Sequence, residues 1–161
     1  MKYATPGFEA KLCEPKALAE RVSTLLRPIV FTNGVFDILH RGHVTYLAQA
    51  RALGQSMILA LNSDASVKRL NKGSDRPINL LADRMALVAA LLAVDVVTFF
   101  EEDTPLKLIL ATRPDVLVKG GDWPIEKIVG AKEVQSWGGS VHSIPFQHER
   151  STTAMLAKIR S

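Results

Sequence analysis

The sequence predicts an α/β fold in which a parallel sheet of about five strands is wound with helices on both faces. Two observations predict it. Short β-branched runs alternate with helical stretches along the 161 residues. The strands are apolar at nearly every position rather than at alternate ones, which is the pattern of a sheet covered on both sides.

The first element, residues 14–26, places Leu18, Val22 and Leu25 at helical spacing, with Pro15 suited to a first turn. It reads as an amphipathic helix lying over the core. Strands are predicted at 29–32, 56–62, 96–99, 116–119 and 140–144, each a β-branched or apolar run. Between them fall helices at 41–53, stopped by Gly54, then 64–70 and 80–93. Further helices are expected at 104–112 with Pro105 in its first turn, at 126–137 stopped by Gly138 and Gly139, and at 152–160. The arrangement is Rossmann-like, a doubly wound sheet whose ligands bind beyond the carboxyl ends of the strands. The chain is read as one domain, 1–161, with residues 1–27 as an N-terminal helical extension and 28–161 as the core.

Composition narrows the class. With 47% apolar residues the chain can bury one sizeable core but not two. The longest apolar stretch, Ala86 to Val94, is about half a bilayer span, and the N-terminus lacks a signal-peptide layout, so a cytoplasmic protein without membrane contact is expected. A single cysteine, Cys13, fits a reducing compartment and reads as a small apolar filler. The net charge of +4 arises from scattered Lys and Arg residues, with no aromatic and basic platform of the kind that binds nucleic acid, so small anions are the expected partners.

Four loops that follow predicted strands or helices carry the chemistry. The first runs from Thr32, Asn33 and Gly34 through Phe36 and Asp37 to His40, Arg41, Gly42 and His43. Two imidazoles three residues apart at a helix start share a face, and the helix N-terminus there already favours an anion. Gly34 and Gly42 let a ligand approach the backbone, and Asp37 is available to cap or to orient a histidine. There is no Walker A sequence and no GxGxxG. The second loop, 71–78, offers Arg76, with Lys68 nearby, as phosphate-gripping cations. The third ends an apolar strand in Lys119, Gly120, Gly121 and Asp122, and the fourth puts Ser151, Thr152 and Thr153 at a helix start, where hydroxyls and free N–H groups suit a phosphate.

The run Gly34-Val35-Phe36-Asp37-Ile38-Leu39-His40-Arg41-Gly42-His43 resembles the GxFDxxHxGH signature of the cytidylyltransferase-like nucleotidyltransferases. The resemblance implies that His40 and His43 hydrogen-bond triphosphate oxygens and stabilise charge at the α-phosphorus, with no covalent intermediate. From about Val30 to Ile159 the chain also resembles the adenylyltransferase domain of heptose 1-phosphate kinase/adenylyltransferases. That likeness rests on Phe31 to Asp37, Asn62-Ser63-Asp64, Arg76-Pro77-Ile78, Asp115 to Asp122 and Ser151-Thr152-Thr153. Trp123 departs from it, standing where tyrosine is expected.

What this resemblance implies is transfer of an ATP adenylyl group to D-glycero-D-manno-heptose 1-phosphate in lipopolysaccharide core biosynthesis. His40, His43 and Lys119 would be catalytic. Thr32, Asn33, Gly34, Phe36, Asp37, Gly42, Asn62, Arg76, Gly121, Asp122, Ser151, Thr152 and Thr153 would bind the nucleotide. Mg2+ would arrive on the ATP phosphates with no metal site in the protein itself. A separate heptose kinase would act upstream, because no kinase region precedes the domain, and a homo-oligomer, dimer or higher, is expected. The alternatives are a cytidylyltransferase acting on glycerol 3-phosphate or another small phosphate, and a nucleotide-sensing module without catalysis.

Overall fold

The computed structural model describes residues 3–70, 75–148 and 152–160. Five strands form one parallel sheet: β1 (Ile29–Gly34), β2 (Ser56–Asn62), β3 (Val96–Phe100), β4 (Val116–Gly120) and β5 (Ser140–Ile144), in the order β3-β2-β1-β4-β5. Each falls where the apolar runs predict it, and β1, β3 and β4 continue one or two residues further toward their carboxyl ends.

The helices are α1 (Leu18–Ser23), α2 (Arg41–Arg51), α3 (Asp64–Arg69), α4 (Leu81–Ala89), α5 (Leu106–Thr112), α6 (Ala131–Ser136) and α7 (Thr152–Arg160). Alternate strand residues feed two apolar layers. Val30, Met57, Leu59 and Leu61 meet Leu47 and Ala50 of α2 and Val88 of α4 on one face. Ile29, Phe31, Ile58 and Ala60 meet Leu18 of α1, Ile109 of α5 and Val134 of α6 on the other. All seven residues of β2 are buried, which is why that strand reads as one continuous apolar run.

Three expected helices differ in extent. The 14–26 helix is a 3-10 turn at Pro15–Ala17 followed by α1. The 80–93 helix stops at Ala89, and the chain turns through Leu91 and Val94 to reach Asp95. The 126–137 helix is split into a 3-10 turn (Ile125–Lys127) and α6, because Gly130 between them adopts φ +88, incompatible with helix. Pro105 takes the N-cap position of α5 rather than its first turn. Ser63 caps α3 by accepting a hydrogen bond from the Ser66 N–H at 3.1 Å.

Two acids fix the amino ends of the strands. Asp95 Oδ2, just before β3, accepts from Met57 N–H of β2 (2.7 Å) and from Arg51 Nε. Asp115 Oδ2, just before β4, accepts from Ile29 N–H of β1 (2.6 Å) and from Arg27 Nη1. At the sheet edge, Cys13 N–H donates to the Val97 carbonyl and Leu12 bridges Val97, so residues 12–13 lie along β3. Cys13 is partly buried against the apolar layer beneath, as its filler reading expects.

β1 has β2 on one side and β4 on the other, so the winding direction reverses between β1 and β4. In such sheets the crevice lies beyond the carboxyl ends at that point. Here those ends are Asn33-Gly34 and Lys119-Gly120.

Candidate functional site

Two adjoining cavities open at the reversal point. The first, about 400 Å3, is lined among others by Gly34, His40, His43, Arg76, Lys119 and Thr152. The second, about 330 Å3, shares Asn33, Gly34, Val35, Lys119 and Trp123 with it and continues to Asn62, Asp103, Thr104 and Lys127.

His40 is the N-cap residue of α2 and His43 lies in its first turn. Their rings stack with centroids 3.8 Å apart and planes inclined by 23°. Gly42 makes this possible, since a Cβ there would sit 3.0 Å from the His40 ring. Phe36 packs its ring 5.0 Å from His43 and Phe146 presents an edge at 6.1 Å. Burial in this aromatic surround, with His40 alongside, pushes the His43 pKa down to about 4, although the Ile38 carbonyl pulls the other way. His43 is therefore a neutral imidazole near pH 7, able to donate one N–H to an incoming phosphate oxygen.

Phe36 holds φ +48, a left-handed conformation that costs a residue with a side chain about 1 kcal/mol or more. A buried polar network sustains it. Asp37 is 1% exposed and accepts from Arg76 Nε, from Ile78 N–H (2.9 Å) and from Asn79 N–H (2.9 Å). Arg84, fully buried on α4, donates to the Asn79 carbonyl (3.0 Å), the Val35 carbonyl (2.8 Å) and Asp64 Oδ1 (2.7 Å). The loop after β1 is thus held from behind by two arginines of the segment 76–84.

The expected site residues divide by position. Asn33, Gly34, Phe36, Asp37, His40, His43, Arg76, Lys119, Gly121 and Thr152 all line the first cavity. Asn62 lines only the second, with its amide donating to Ser66 Oγ. Thr32 is fully buried beneath the cavity, its hydroxyl paired with that of Tyr46, because β1 turns that side chain into the helix layer. Asp122 is exposed and outside both linings, following Gly121 at φ +110. Asp37 spends its carboxylate on Arg76 and the 78–79 backbone rather than on a histidine, because a buried carboxylate requires several donors. Lys68 is exposed and outside both linings. Residues 71–74 and Ser151, and the Thr153 side chain, lie outside the described residues.

Three aromatic wall residues were not anticipated, nor were Asp103, Thr104 and Lys127 of the second cavity. Tyr46 stands three positions beyond His43 on the same helix face, and Phe146 follows β5 by two residues, so helix spacing and the strand-end rule both point to them. Trp123, quoted only as a departure from the family pattern, lines both cavities. Among the described residues no cluster of His, Cys, Asp and Glu could hold a metal ion, and no helix is long and apolar enough to cross a membrane.

Comparison with known proteins agrees with this geometry. The cytidylyltransferase-like family matches residues 31–160. The chain is 57% identical over 155 residues to the D-beta-D-heptose 1-phosphate adenylyltransferase of Bordetella bronchiseptica, covering 95% of this chain and 96% of that one. It is 58% identical over 133 residues to the bifunctional protein HldE of Ectopseudomonas mendocina, covering 83% of this chain and 28% of HldE. Among solved structures, a lipopolysaccharide core biosynthesis protein from Thermoplasma volcanium aligns with a TM-score of 0.59 at 29% identity, over 76% of this chain and 98% of that one. A pantoate-beta-alanine ligase from Francisella tularensis, at 16% identity and a TM-score of 0.60 over 88% of this chain and 68% of its own, shares the fold alone. With a family match across the whole sheet, and the paired histidines at the reversal point, this chain belongs to the cytidylyltransferase-like family.

Proposed function

We propose that this protein transfers the adenylyl group of ATP to D-glycero-β-D-manno-heptose 1-phosphate, giving ADP-heptose and pyrophosphate for lipopolysaccharide core biosynthesis. The observation that carries the reaction class is the gathering of His40, His43, Arg76, Lys119 and Thr152 around one cavity at the strand ends. That set of donors and cations suits a polyphosphate. The sugar phosphate is supported by the near full-length likeness to the Bordetella protein of that name.

In this reading ATP lies over α2 with its phosphates against His40 and His43, and Thr152 and Arg76 reach the β- and γ-phosphates. An oxygen of the acceptor phosphate attacks the α-phosphorus in line. The bond from the α-phosphorus to the bridging oxygen breaks and pyrophosphate leaves with that electron pair. The attacking phosphate is already anionic, so no general base is needed, and the side chains act by positioning and by charge neutralisation. Lys119 faces the developing charge at the α-phosphate. Mg2+ would arrive on the nucleotide phosphates; Asp37, the acid in the first cavity wall, is committed to Arg76 and two backbone N–H groups, and we assign the ion no step.

The proposed reaction requires a kinase activity upstream that supplies the heptose 1-phosphate. A homo-oligomer is supported by an apolar groove of about 540 Å3 beside α2, where Val44 and Leu92 stand 46% and 97% exposed. A cytoplasmic location follows from the supply of ATP. Pyrophosphate release assayed with ATP and CTP against heptose 1-phosphate and glycerol 3-phosphate tests the proposal. Turnover is expected with ATP and heptose 1-phosphate; preference for CTP and glycerol 3-phosphate would replace the assignment with a cytidylyltransferase, and no turnover with any pair would favour a sensing module.

A further inference from the structure

The two cavities meet along a short shared wall made by the ends of β1 and β4, and Trp123 stands at that junction. The indole is an exposed aromatic that the protein nevertheless holds in place. Its side chain is part of a residue 48% exposed, yet Nε1 donates to the Gly120 carbonyl at 3.2 Å and the backbone N–H donates to Ser143 Oγ at 2.9 Å. Ser143 in turn donates to the Gly121 carbonyl at 2.6 Å, which closes the turn between the ends of β4 and β5. Gly121 at φ +110 lets the indole fold back over the strand end; a Cβ there would lie 2.8 Å from Nε1. Both N–H donors of the residue are thus spent on positioning, and a flat apolar face is left toward ligand space.

The reaction geometry says which ligand meets that face. Displacement at the α-phosphorus is in line, so the acceptor enters from the side opposite the departing pyrophosphate. His40, His43, Arg76 and Thr152 line the first cavity only, whereas Asn62, Asp103, Thr104 and Lys127 line the second only. With the polyphosphate in the first cavity, the acceptor occupies the second and its phosphate reaches Lys119, which belongs to both. The second cavity sets an aromatic plane and the apolar Leu70, Pro105, Ile128 and Val129 beside an amide, a carboxylate, a hydroxyl and an ammonium. A pyranose matches this mixture, because it carries an apolar C–H face and a rim of hydroxyls.

Resting on the adenylyltransferase reading above, we propose that Trp123 is a specificity-determining contact for the acceptor, its indole face stacking on the sugar ring in the second cavity. Trp123→Ala removes the platform and Trp123→Tyr retains a flat ring. Steady-state assays of both variants are expected to show the KM for heptose 1-phosphate raised about tenfold by alanine, largely restored by tyrosine, with the KM for ATP within about twofold of wild type. A rise in the ATP KM in place of the acceptor KM assigns the indole to the adenine and overturns the proposal, as does an unchanged acceptor KM.

A binding measurement separates this from the function itself. The chain has two tryptophans, and in a Trp137→Phe protein Trp123 alone reports. Trp137 is remote, its indole N–H bonded to the Pro114 carbonyl. Titration of that protein with heptose 1-phosphate, in the presence of a non-hydrolysable ATP analogue, is expected to change the emission saturably, whereas acyclic glycerol 3-phosphate at equal concentration leaves it little changed. No saturable response to the sugar phosphate overturns the stacking. Failure of the wild-type protein to turn over heptose 1-phosphate, with the fluorescence response intact, would instead overturn the proposed reaction and leave the sugar contact standing.

Discussion

The two cavities at the strand ends are built by opposite means. Behind the first stands a largely buried polar network: Asp37 with Arg76 and the 78–79 backbone, Arg84 with Val35, Asn79 and Asp64, and a neutral His43 stacked on His40. The second is faced by side chains in contact with water, among them Asp103, whose ion pair with Arg69 leaves the two side chains 76% and 48% exposed. The difference matches the work asked of each side. A transition-state charge is stabilised best by donors that need not move, and a buried network keeps them still. Choosing a sugar requires only contacts that can be exchanged at a surface without loosening the frame.

The contrast is broken most directly by removing one acid from each side. Asp37→Ala strands the Arg76 guanidinium, itself only 7% exposed, and two backbone donors, and is expected to cost about 3–5 kcal/mol in urea unfolding. Asp103→Ala removes an exposed pair and should cost less than about 1 kcal/mol. Similar losses at the two positions would show that the first cavity is no more preorganised than the second.

Next in size is the chemistry. His43→Ala is expected to lower turnover on the order of 10² to 10³, the usual cost of one preorganised donor, with circular dichroism and the melting temperature close to wild type. Near-normal turnover would remove His43 from the catalytic set.

A smaller effect reads the same histidine through pH. Its folded pKa of about 4 lies below the ordinary 6.5, so between those values the unfolded chain takes up a proton that the folded site refuses. This contribution leaves stability intact above pH 6.5 and lowers it progressively as pH falls toward 4, by ~2 kcal/mol once solvent contact of the ring is allowed for. Unfolding free energies of wild type and His43→Asn at pH 7 and 4.5 measure it; an identical pH dependence in the two proteins would contradict the burial argument.

The smallest expected effect sharpens the other side. Gly121→Ala forces a side chain into φ +110 and against the Trp123 ring, at about 1–2 kcal/mol of stability. Its signature is a rise in the acceptor KM larger than any change in the ATP KM, since Gly121 lines the first cavity as well as carrying the indole.

The parts of this site that were legible in the sequence are those whose residues are neighbours in the chain. His40, Gly42 and His43 announce a helix start facing an anion because three-residue spacing fixes their common face. β1 to β4 were legible for the same local reason, a largely apolar run that a doubly covered sheet explains, while β5 at the edge carries Ser140, His142 and Ser143 and is only partly buried. The clamp was not. Arg84 sits in an amphipathic helix where an arginine normally faces water, and only its distant partners Val35 and Asp64 make burial tolerable. Asp37 looked available for a histidine because its donors arrive from forty residues away. The 126–137 helix was misjudged since Gly130 at φ +88 is set by packing, a Cβ there falling 2.7 Å from Ile109, and composition does not reveal that contact.

Asp95 and Asp115 deserve a last consideration as a pair. Each sits just before a strand, accepts from an N–H within the first two residues of the neighbouring strand, and stands at the end of the sheet away from both cavities. The architecture therefore separates durability from novelty: the stitched margin bears the tertiary order, while the opposite margin is free to accept different loops. A lineage altering residues 101–105 or 121–129 would explore new acceptors without first having to rebuild the sheet that carries them.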